Sequence, residues 1–449
     1  MERSVRKLLP VLLTVGIHHS VPAADSGPLD YGFQFSMDRS ALDGLKLGDD
    51  PTGDRLVEAD LEFEFSLEYL VNENLYLFLT GALIDETVTL ETAGNKDAKS
   101  GLERKQVGIG YFFGEQIKAE LNLGRMEFVS ASEWWLWWDE ELDAIRLEST
   151  YGDFEAMLAL AEEQARTSTG DDFIDPEFDA VRRVILSLGW EVAANHNLVF
   201  YYLDQSDNSG SLDVGDFEHF DRIDDEDADL AWSGISYLGE LAIESVGELE
   251  IELHTARVSG DETVYVFDDP AGGLSEVIER KRNSVRGMAQ SYLLSWTPSA
   301  LDDWTLIVGG ATGSGDSDPD DGRVRSFRQS GLQGDSESFG ELYQPELSNL
   351  VVDLIGIEWE MSAGVEIALL RYDYEQRKLA DEMRDVSIDL DLTGASRDLG
   401  REIDLILTIE SRRGLDLVLT AAEFDPGNAY GGFAGTTSNF ISIELVYEF

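Results

Sequence analysis

The feature that most constrains this chain is an alternation of apolar and polar residues with a period of two. In the stretch VEADLEFEFSLEYLV, residues 57–71, most apolar residues fall on one parity and most acidic residues on the other. Successive side chains of a β-strand point to opposite faces, so this alternation predicts a strand with one apolar and one wet face. The pattern recurs at residues 247–256, 401–411 and 439–449, and helical periodicity is scarce. The chain is therefore expected to be all-β.

About 18 segments along the chain read as strands, and bacterial outer-membrane barrels have an even number of strands. The last segment is amphipathic and ends on Phe449, as is familiar from bacterial outer-membrane barrels. The predicted strands are 29–37, 56–71, 73–90, 102–113, 116–126, 141–151, 153–164, 182–193, 196–205, 231–243, 247–258, 286–297, 303–312, 350–361, 363–375, 400–412, 414–424 and 438–449.

The connections between these segments alternate in length. Each even segment is followed by a mostly short turn, such as YGD at 151–153, and the odd segments are usually followed by long polar links, such as 205–230, 259–285 and 313–349. Outer-membrane barrels have short periplasmic turns and longer extracellular loops. A secreted β-sandwich, propeller or solenoid is the alternative, but no fixed-period repeat is evident. We predict a closed antiparallel transmembrane β-barrel of about 18 strands, with periplasmic turns and extracellular loops.

The N-terminus predicts export. Arg3, Arg6 and Lys7 precede the short apolar run 8–17, and Val21 and Ala23 suit a signal-peptidase site. A short membrane anchor is the alternative, but the apolar run is too short to span a bilayer comfortably. We therefore expect a signal peptide at 1–24, a barrel at 25–449 and a location in the outer membrane of a Gram-negative bacterium.

Composition excludes several functions. The chain has 33 Lys and Arg residues against 90 Asp and Glu residues, and the net charge of −57 would repel a nucleic acid. It has no Cys, which excludes disulfides, thiolate metal sites and a Cys nucleophile. No G-x-S-x-G or HExxH motif is present, so we expect no enzyme. A hydrolase that uses inward Glu pairs remains a minor alternative.

The segment SEWWLWWDEELDAIRLES, residues 132–149, gathers indole rings beside carboxylates on a predicted extracellular link. Two interpretations stay open. The rings belong to an interfacial aromatic belt, or they form a platform at the pore mouth that stacks on sugars or packs a loop. The residues concerned are Trp134, Trp135, Trp137 and Trp138, followed by the acidic Asp139 and Asp143.

Three stretches resemble the bacterial alginate-export family of outer-membrane porins. They are LGRMEFVSASEWWLWWDEELDAIRLES at 123–149, RSFRQSGLQGDSESFGELYQPELSNL at 325–350 and LGREIDLIL at 399–407. The resemblance implies an 18-stranded barrel that passes an anionic polysaccharide through an arginine-lined lumen. The sequence departs from the family at Met126, where Gln is common. It also places many carboxylates on the inward faces, which would repel a polyuronate unless cations concentrate at the constriction.

Arginine would suit such a lumen because its planar fork binds a carboxylate bidentately and stays charged. The alternation predicts that several arginine side chains face the lumen. Arg371 would also face the lumen if Leu370, Tyr372 and Tyr374 face lipid. Strict parity places Arg125 on the lipid face, which requires a position near the rim or a bulge at Gly124. The alternative role is a ladder of internal salt bridges to nearby Glu. The candidate pathway residues are Arg104, Arg125, Arg146, Arg183, Arg328, Arg371 and Arg412; Arg125 and Arg146 fall on arginine positions of the family motif.

Acidic loops suggest calcium, the one cofactor that we consider. Asp316, Asp318 and Asp320 cluster as a hard cation prefers. Asp321 stands where an EF-hand needs Gly, however, which favours a solvated acidic loop.

We expect an outer-membrane channel for a hydrophilic solute, with an anionic polysaccharide or oligosaccharide as the specific expectation. A general or cation-preferring porin is the runner-up, and a plugged structural or adhesive barrel is a third class. Expected partners are outer-membrane lipid, the polysaccharide or small hydrophilic solutes, and a periplasmic export machinery.

Overall fold

The structure is a computed structural model. It describes residues 28–44, 55–90, 95–129, 139–171, 173–176, 178–207, 209, 212–219, 222–268, 273–317, 321–332, 339–384, 386–388, 390–411 and 413–449. The predicted signal peptide at 1–24 lies outside this range and stays a prediction. No helix in the described part of the chain is long and apolar enough to cross a membrane.

Eighteen long strands form the wall. They are β1 (Leu29–Asp43), β2 (Arg55–Asn72), β3 (Leu75–Leu90), β4 (Asn95–Phe113), β5 (Lys118–Val129), β6 (Asp139–Tyr151), β7 (Phe154–Glu162), β8 (Val181–Ala193), β9 (His196–Asp207), β10 (Glu226–Ile243), β11 (Gly247–Phe267), β12 (Leu274–Pro298), β13 (Trp304–Gly313), β14 (Leu350–Ser362), β15 (Val365–Gln376), β16 (Asp398–Glu410), β17 (Leu415–Pro426) and β18 (Ser438–Glu448). Two short strands, Phe217–His219 and Arg323–Val324, and a 3-10 helix, Asn428–Phe433, lie in the links.

Each wall strand pairs antiparallel with the next one along the chain. The last strand, β18, pairs with β1 from Gln34 opposite Glu448 to Asp43 opposite Asn439, which closes the sheet. Closure leaves no free edge along the wall, the arrangement that a lipid environment requires. The predicted 18-stranded antiparallel barrel is therefore confirmed.

The outer face carries the apolar residues that alternation assigned to it. Leu405 is 49% exposed, whereas Asp404, the preceding residue of β16, is fully buried. Aromatic rings gather near the short turns: Trp304 stacks on Trp359 with ring centroids 5.2 Å apart. The C-terminal Phe449 stacks on Phe33 at 5.7 Å, and its backbone N–H donates to the Phe33 carbonyl at 3.0 Å. The terminal ring therefore belongs to the wall itself.

The largest difference from the predicted strands lies on the long-link side. The link expected at 259–285 is mostly strand, because β11 continues to Phe267 and β12 begins at Leu274. Here polar residues occupy both strand faces, so the sequence shows no clean alternation. A strand that rises above the bilayer meets water on its outer face and no longer needs an apolar one.

The link between β13 and β14 packs onto the inner wall. Its residues Phe327, Leu332, Phe339 and Tyr343 are at most 1% exposed and join one apolar cluster with inward residues of the wall strands. The barrel interior beside this link is therefore filled by side chains, whereas the interior beside β1–β6 holds open space.

Candidate functional site in the barrel lumen

Arg146 on β6 faces the open part of the lumen, as alternation predicted. Its Nη1 donates to the Glu127 carbonyl at 2.6 Å, its Nε lies 3.4 Å from Glu148 Oε2, and its guanidinium lies 5.2 Å from the Phe128 ring centre. A cavity of about 400 Å³ adjoins it, with Gln106 and Asn122 among the lining residues. The carboxylates Asp30, Glu68 and Glu127 line it as well. The recess therefore offers donors and acceptors to a hydroxylated solute, and Arg146 is its one cation among the described lining residues.

Two other predicted arginines are held in a buried ion network. Arg104 binds Asp143 through both terminal nitrogens, with Nη2 to Oδ2 at 3.0 Å. Arg125 Nη1 donates to Glu163 Oε1 at 2.6 Å, and Arg104 Nη2 lies 3.8 Å from Glu163 Oε2. The Gln164 N–H adds a bond to Asp143 at 2.9 Å. We call Arg104, Arg125, Asp143 and Glu163 the quartet.

The quartet forms where β4 and β5 part. Their pairing ends at Val107 opposite Arg125, next to Gly124 with a φ of 136°. Above that point the link after β7 lies beside β4: the Arg104 N–H donates to the Thr167 carbonyl at 2.8 Å, and the Thr169 N–H to the Leu102 carbonyl at 2.9 Å. The link therefore takes the place of β5 as the neighbour of β4 and covers the quartet.

This arrangement corrects the predicted orientation of Arg104 and explains how Arg125 is accommodated. Simple parity predicted that Arg104 points inward, but a bulge at Lys105 shifts the register, so Arg104 lies opposite Gly81 on the outward parity. Arg125 keeps its outward parity without a bulge in the β5–β6 pairing. It is 4% exposed because the link encloses it, and so it does not meet lipid.

The same bulge creates a lumen cation that sequence reasoning missed. Lys105 lies 3.3 Å from Glu62 Oε2 and 3.3 Å from Glu103 Oε2. No signal in the run Glu103–Lys105 distinguishes the bulged residue from its neighbours, since all three are charged.

Arg328 holds the inward-folded link. Its Nη2 donates to Glu262 at 2.6 Å and its Nη1 to Glu226 at 3.3 Å, while its carbonyl accepts from Trp232 Nε1 at 2.8 Å. Arg328 is 7% exposed. Its guanidinium is bound by carboxylates of the wall and is not presented to a solute.

A second anchor of this link was also missed as a site. The buried Glu402 on β16 accepts the Leu342 N–H at 2.7 Å and the Tyr343 N–H at 2.9 Å. The alternation at residues 401–411 places Glu402 on the inward face, and this was the only sign in the sequence that Glu402 lies inside the barrel. It could not show that the partner is a backbone segment some 60 residues earlier in the chain.

Arg183 faces inward, as predicted, and is 4% exposed. Its Nε donates to Gln205 at 3.1 Å, and its guanidinium lies 5.0 Å from the Phe178 ring centre. Arg183 thus packs inside the wall, away from the recess beside Arg146.

The inward orientation considered for Arg371 is wrong. Leu370, Tyr372 and Tyr374 are at most 5% exposed and face the interior, so Arg371 shares the outer face with Leu369. There it pairs with Asp373 at 2.7 Å. The long run of apolar and aromatic residues hid which parity is buried, because an aromatic ring suits either the lipid face or a filled lumen.

Several predicted residues fall outside the described part of the chain. These are Arg412, Trp134, Trp135, Trp137, Trp138, Asp318 and Asp320. Asp139 begins β6 with its backbone opposite Val129. Asp316 pairs with Arg325 at 3.1 Å, so calcium at this loop stays a prediction.

A different acidic group forms beside the β9–β10 link. Carboxylate oxygens of Asp207, Asp224 and Asp227 lie within 4.8 Å of one another. Burial, followed by the charges of the neighbouring aspartates, raises the pKa of Asp224 to about 7.

The sequence model of the Alginate export family matches residues 87–444. The chain is 23% identical over 389 residues to the alginate production protein AlgE of Pseudomonas aeruginosa, covering 79% of this chain and 76% of that protein. It is 26% identical over 190 residues to AlgE of Azotobacter vinelandii, covering 35% and 38%.

Solved structures support the fold. OccAB1 of Acinetobacter baumannii superposes with a TM-score of 0.60 at 10% identity, covering 94% of this chain and 96% of that one. OccK7 (OpdD) of Pseudomonas aeruginosa gives 0.59 at 11% identity, covering 94% and 99%. With a closed 18-stranded wall, a partly open lumen and a family match over most of its length, this chain belongs to the alginate export family and is an outer-membrane channel protein.

Proposed function

We propose that the channel passes an anionic polysaccharide or oligosaccharide through the lumen beside β1–β6, and that it transports rather than catalyses. The observation that carries this proposal is Arg146, an inward cation beside the open recess. Its guanidinium borders the recess, so a carboxylate that enters the recess has a charged donor within reach. The name of the AlgE relatives supports a uronate polymer as the solute class.

Weak contacts suit passage better than a tight site. A conducting pathway needs binding that is favourable enough to enter and weak enough to leave. Arg146 already shares its charge with Glu148, and this lowers its affinity for any one carboxylate of a passing chain. The amide of Gln106 lines the same recess and can bond to sugar hydroxyls.

A cation-preferring porin is the second candidate, and a separate observation favours it. Asp38 of β1 lies directly opposite Glu444 of β18 on the inner face. Neither carboxylate has an ion-pair partner among the described residues. Such a face attracts small cations and repels a polyanion.

Single-channel recording with Arg146→Glu tests the proposal. In planar bilayers, fragments of a polyuronate should cause transient current blocks in the wild type. Arg146→Glu places a carboxylate beside Glu148; like charges about 4 Å apart repel by about 1 kcal/mol even in water. We expect the block frequency to fall several-fold.

Arg182→Glu is the matched control, because Arg182 is 68% exposed on the outer face, where it pairs with Glu162. It should leave the blocks unchanged. Equal loss in both variants would contradict a role for the recess.

A further inference from the structure

The outer wall carries a cluster of arginines at one point of the barrel surface. A cavity of about 720 Å³ is lined by Arg286, Arg323, Arg325 and Arg377, with Met288 at its edge. In a chain with 33 basic and 90 acidic residues, four arginines around one cavity are a marked local reversal of charge. We call these four residues the outer arginine cluster.

The fold brings them together from three separate segments. Arg286 projects outward from β12, on the same parity as Met288, which is 54% exposed. The short strand Arg323–Val324 runs parallel to β12 opposite Ser284–Val285. Arg377 follows β15, and its Nη1 donates to Thr312 Oγ1 at 2.9 Å. The cluster is therefore fixed by backbone pairing and by a side-chain bond.

Its height on the barrel follows from the strand geometry. Trp296 lies near the turn at the lower end of β12, ten residues from Arg286 on the same outward face. At about 3.3 Å per residue and a tilt of about 40°, the two residues differ by roughly 25 Å along the membrane normal. The apolar band of an outer-membrane barrel is about 25 Å tall. The cluster therefore lies where the outer-leaflet headgroups begin.

Internal salt bridges do not account for the cluster. Arg325 pairs with Asp316 at 3.1 Å and Asp321 at 2.7 Å. Arg286 and Arg377 have no carboxylate partner in the described part of the chain, and Arg323 interacts with Asp321 at a longer range than an ion-pair contact. Elsewhere in the same structure arginines are bound by carboxylates, as in the quartet. The guanidinium groups of Arg286 and Arg323 can thus donate to an outside anion, and Arg377 keeps donors besides the Nη1 bond to Thr312.

We propose that the outer arginine cluster binds the phosphate group of an outer-leaflet glycolipid, lipopolysaccharide. Arginine forks bind phosphate bidentately and keep their charge at any physiological pH. Gln290 also lines the cavity, and its side-chain amide can donate further hydrogen bonds. Below it, Met288 and the 41% exposed Tyr292 offer an apolar surface for the first acyl carbons. This apolar floor favours a lipid over a free phosphate ion.

The proposal is tested by measuring the equilibrium binding of radiolabelled lipid A, the phosphorylated lipid part of lipopolysaccharide, to the full-length barrel purified in detergent. Wild-type protein should bind phosphorylated lipid A at least ten-fold more tightly than chemically dephosphorylated lipid A. The double variant Arg286→Gln, Arg323→Gln should lose at least ten-fold in affinity for the phosphorylated form. Arg182→Gln with Arg401→Gln removes two outward arginines that are paired with Glu162 and Asp425, and this control should change affinity less than two-fold.

Three results would overturn the proposal. One is equal wild-type binding of the two lipid A forms, which requires no variant and therefore decides even if the double variant does not fold. Another is an equal loss in the test and control double variants. The third is inorganic phosphate competing at concentrations near those of lipid A, which would assign the site to a free ion instead of a lipid.

Discussion

The quartet and the Asp38–Glu444 pair contain the same kinds of acidic residue in opposite surroundings. In the quartet, Asp143 and Glu163 are buried and bound by arginine. Where β1 meets β18, Asp38 and Glu444 face each other on neighbouring strands with no cation partner among the described residues. The net charge of the chain therefore says little about its lumen, because one set of carboxylates is neutralised inside the wall and the other is presented to the pathway.

The difference also separates stability from function. Removing one partner of a buried ion pair leaves an uncompensated charge and costs about 3–5 kcal/mol. Like charges directly opposite on adjacent strands are mildly destabilising. We therefore expect the quartet to hold the wall together, and the Asp38–Glu444 pair to set the electric field that a solute meets.

The largest expected effect is on stability. Arg125→Ala leaves Glu163 buried without its 2.6 Å partner, and should lower the free energy of unfolding by about 3–5 kcal/mol. Asp38→Ala removes a repelling charge and should change it by less than about 1 kcal/mol. Urea unfolding in lipid vesicles measures both. Similar losses in the two variants would mean that the two regions do not differ as described.

The next effect concerns the link that fills part of the lumen. Glu402→Ala removes the acceptor for the Leu342 and Tyr343 amides, and each unsatisfied buried amide costs about 1–3 kcal/mol. The link should detach from the wall, and the mean single-channel conductance should rise. Glu64→Ala, an inward carboxylate that holds no link residue, is the control. An unchanged conductance in Glu402→Ala would show that the link stays in place without this anchor.

A smaller effect should follow from neutralising the exposed carboxylates. Asp38→Asn combined with Glu444→Gln removes two negative charges from the lumen while keeping the side-chain size. Reversal potentials in a potassium chloride gradient should shift toward weaker cation preference, and polyuronate blocks should become about two-fold more frequent, because a few tenths of a kcal/mol of repulsion are lost. A shift in the opposite direction would exclude these carboxylates as the source of the lumen field.

A separate effect concerns pH. The pKa of Asp224 is raised to about 7 by burial and by its aspartate neighbours, so the folded protein holds a proton that the unfolded chain has already lost. The stability contribution is therefore greatest at acid pH and declines as pH rises from about 4 toward 7. Melting temperatures at pH 5 and pH 8 should differ less in Asp224→Asn than in the wild type.

Calcium provides a check on the same group. If the predicted calcium site lies in the extracellular loops, calcium should raise the wild-type melting temperature at pH 8, and this gain should shrink in Asp224→Asn. An identical gain in the two proteins would separate calcium from the cluster of Asp207, Asp224 and Asp227.

How far the sequence could predict this molecule depends on the range of the interactions involved. Alternation and turn length are local, and they predicted the strand number and the inward orientation of Arg146 and Arg183. The orientation of Arg104 was predicted wrongly because Lys105 is a bulged residue. One extra residue in a strand moves every side chain beyond it to the opposite face of the sheet. The orientation of Arg371 was predicted wrongly because the β13–β14 link fills that part of the lumen. The apolar residues Leu370, Tyr372 and Tyr374 therefore face inward and pack against the link.

The local sequence pattern could not predict which carboxylates bind the arginines. Glu163 reaches Arg125 only because the link after β7 lies along β4, and Glu402 holds a link that precedes it by some 60 residues. Alternation states which face a side chain lies on but not what covers it. The sequence could therefore predict the wall and a set of candidate cations, but not which of them remain open to a solute.

The most direct test of the central claim is current recording on the wild-type channel with charged and neutral chains of equal length. A polyuronate and a neutral glucan are added in turn to single channels in planar bilayers. If the recess beside Arg146 binds uronate carboxylates, the polyuronate should cause frequent transient blocks and the neutral glucan few. Cation preference with no polyuronate block at any concentration would contradict the account, leaving the family and the barrel intact but making the channel a cation-preferring porin.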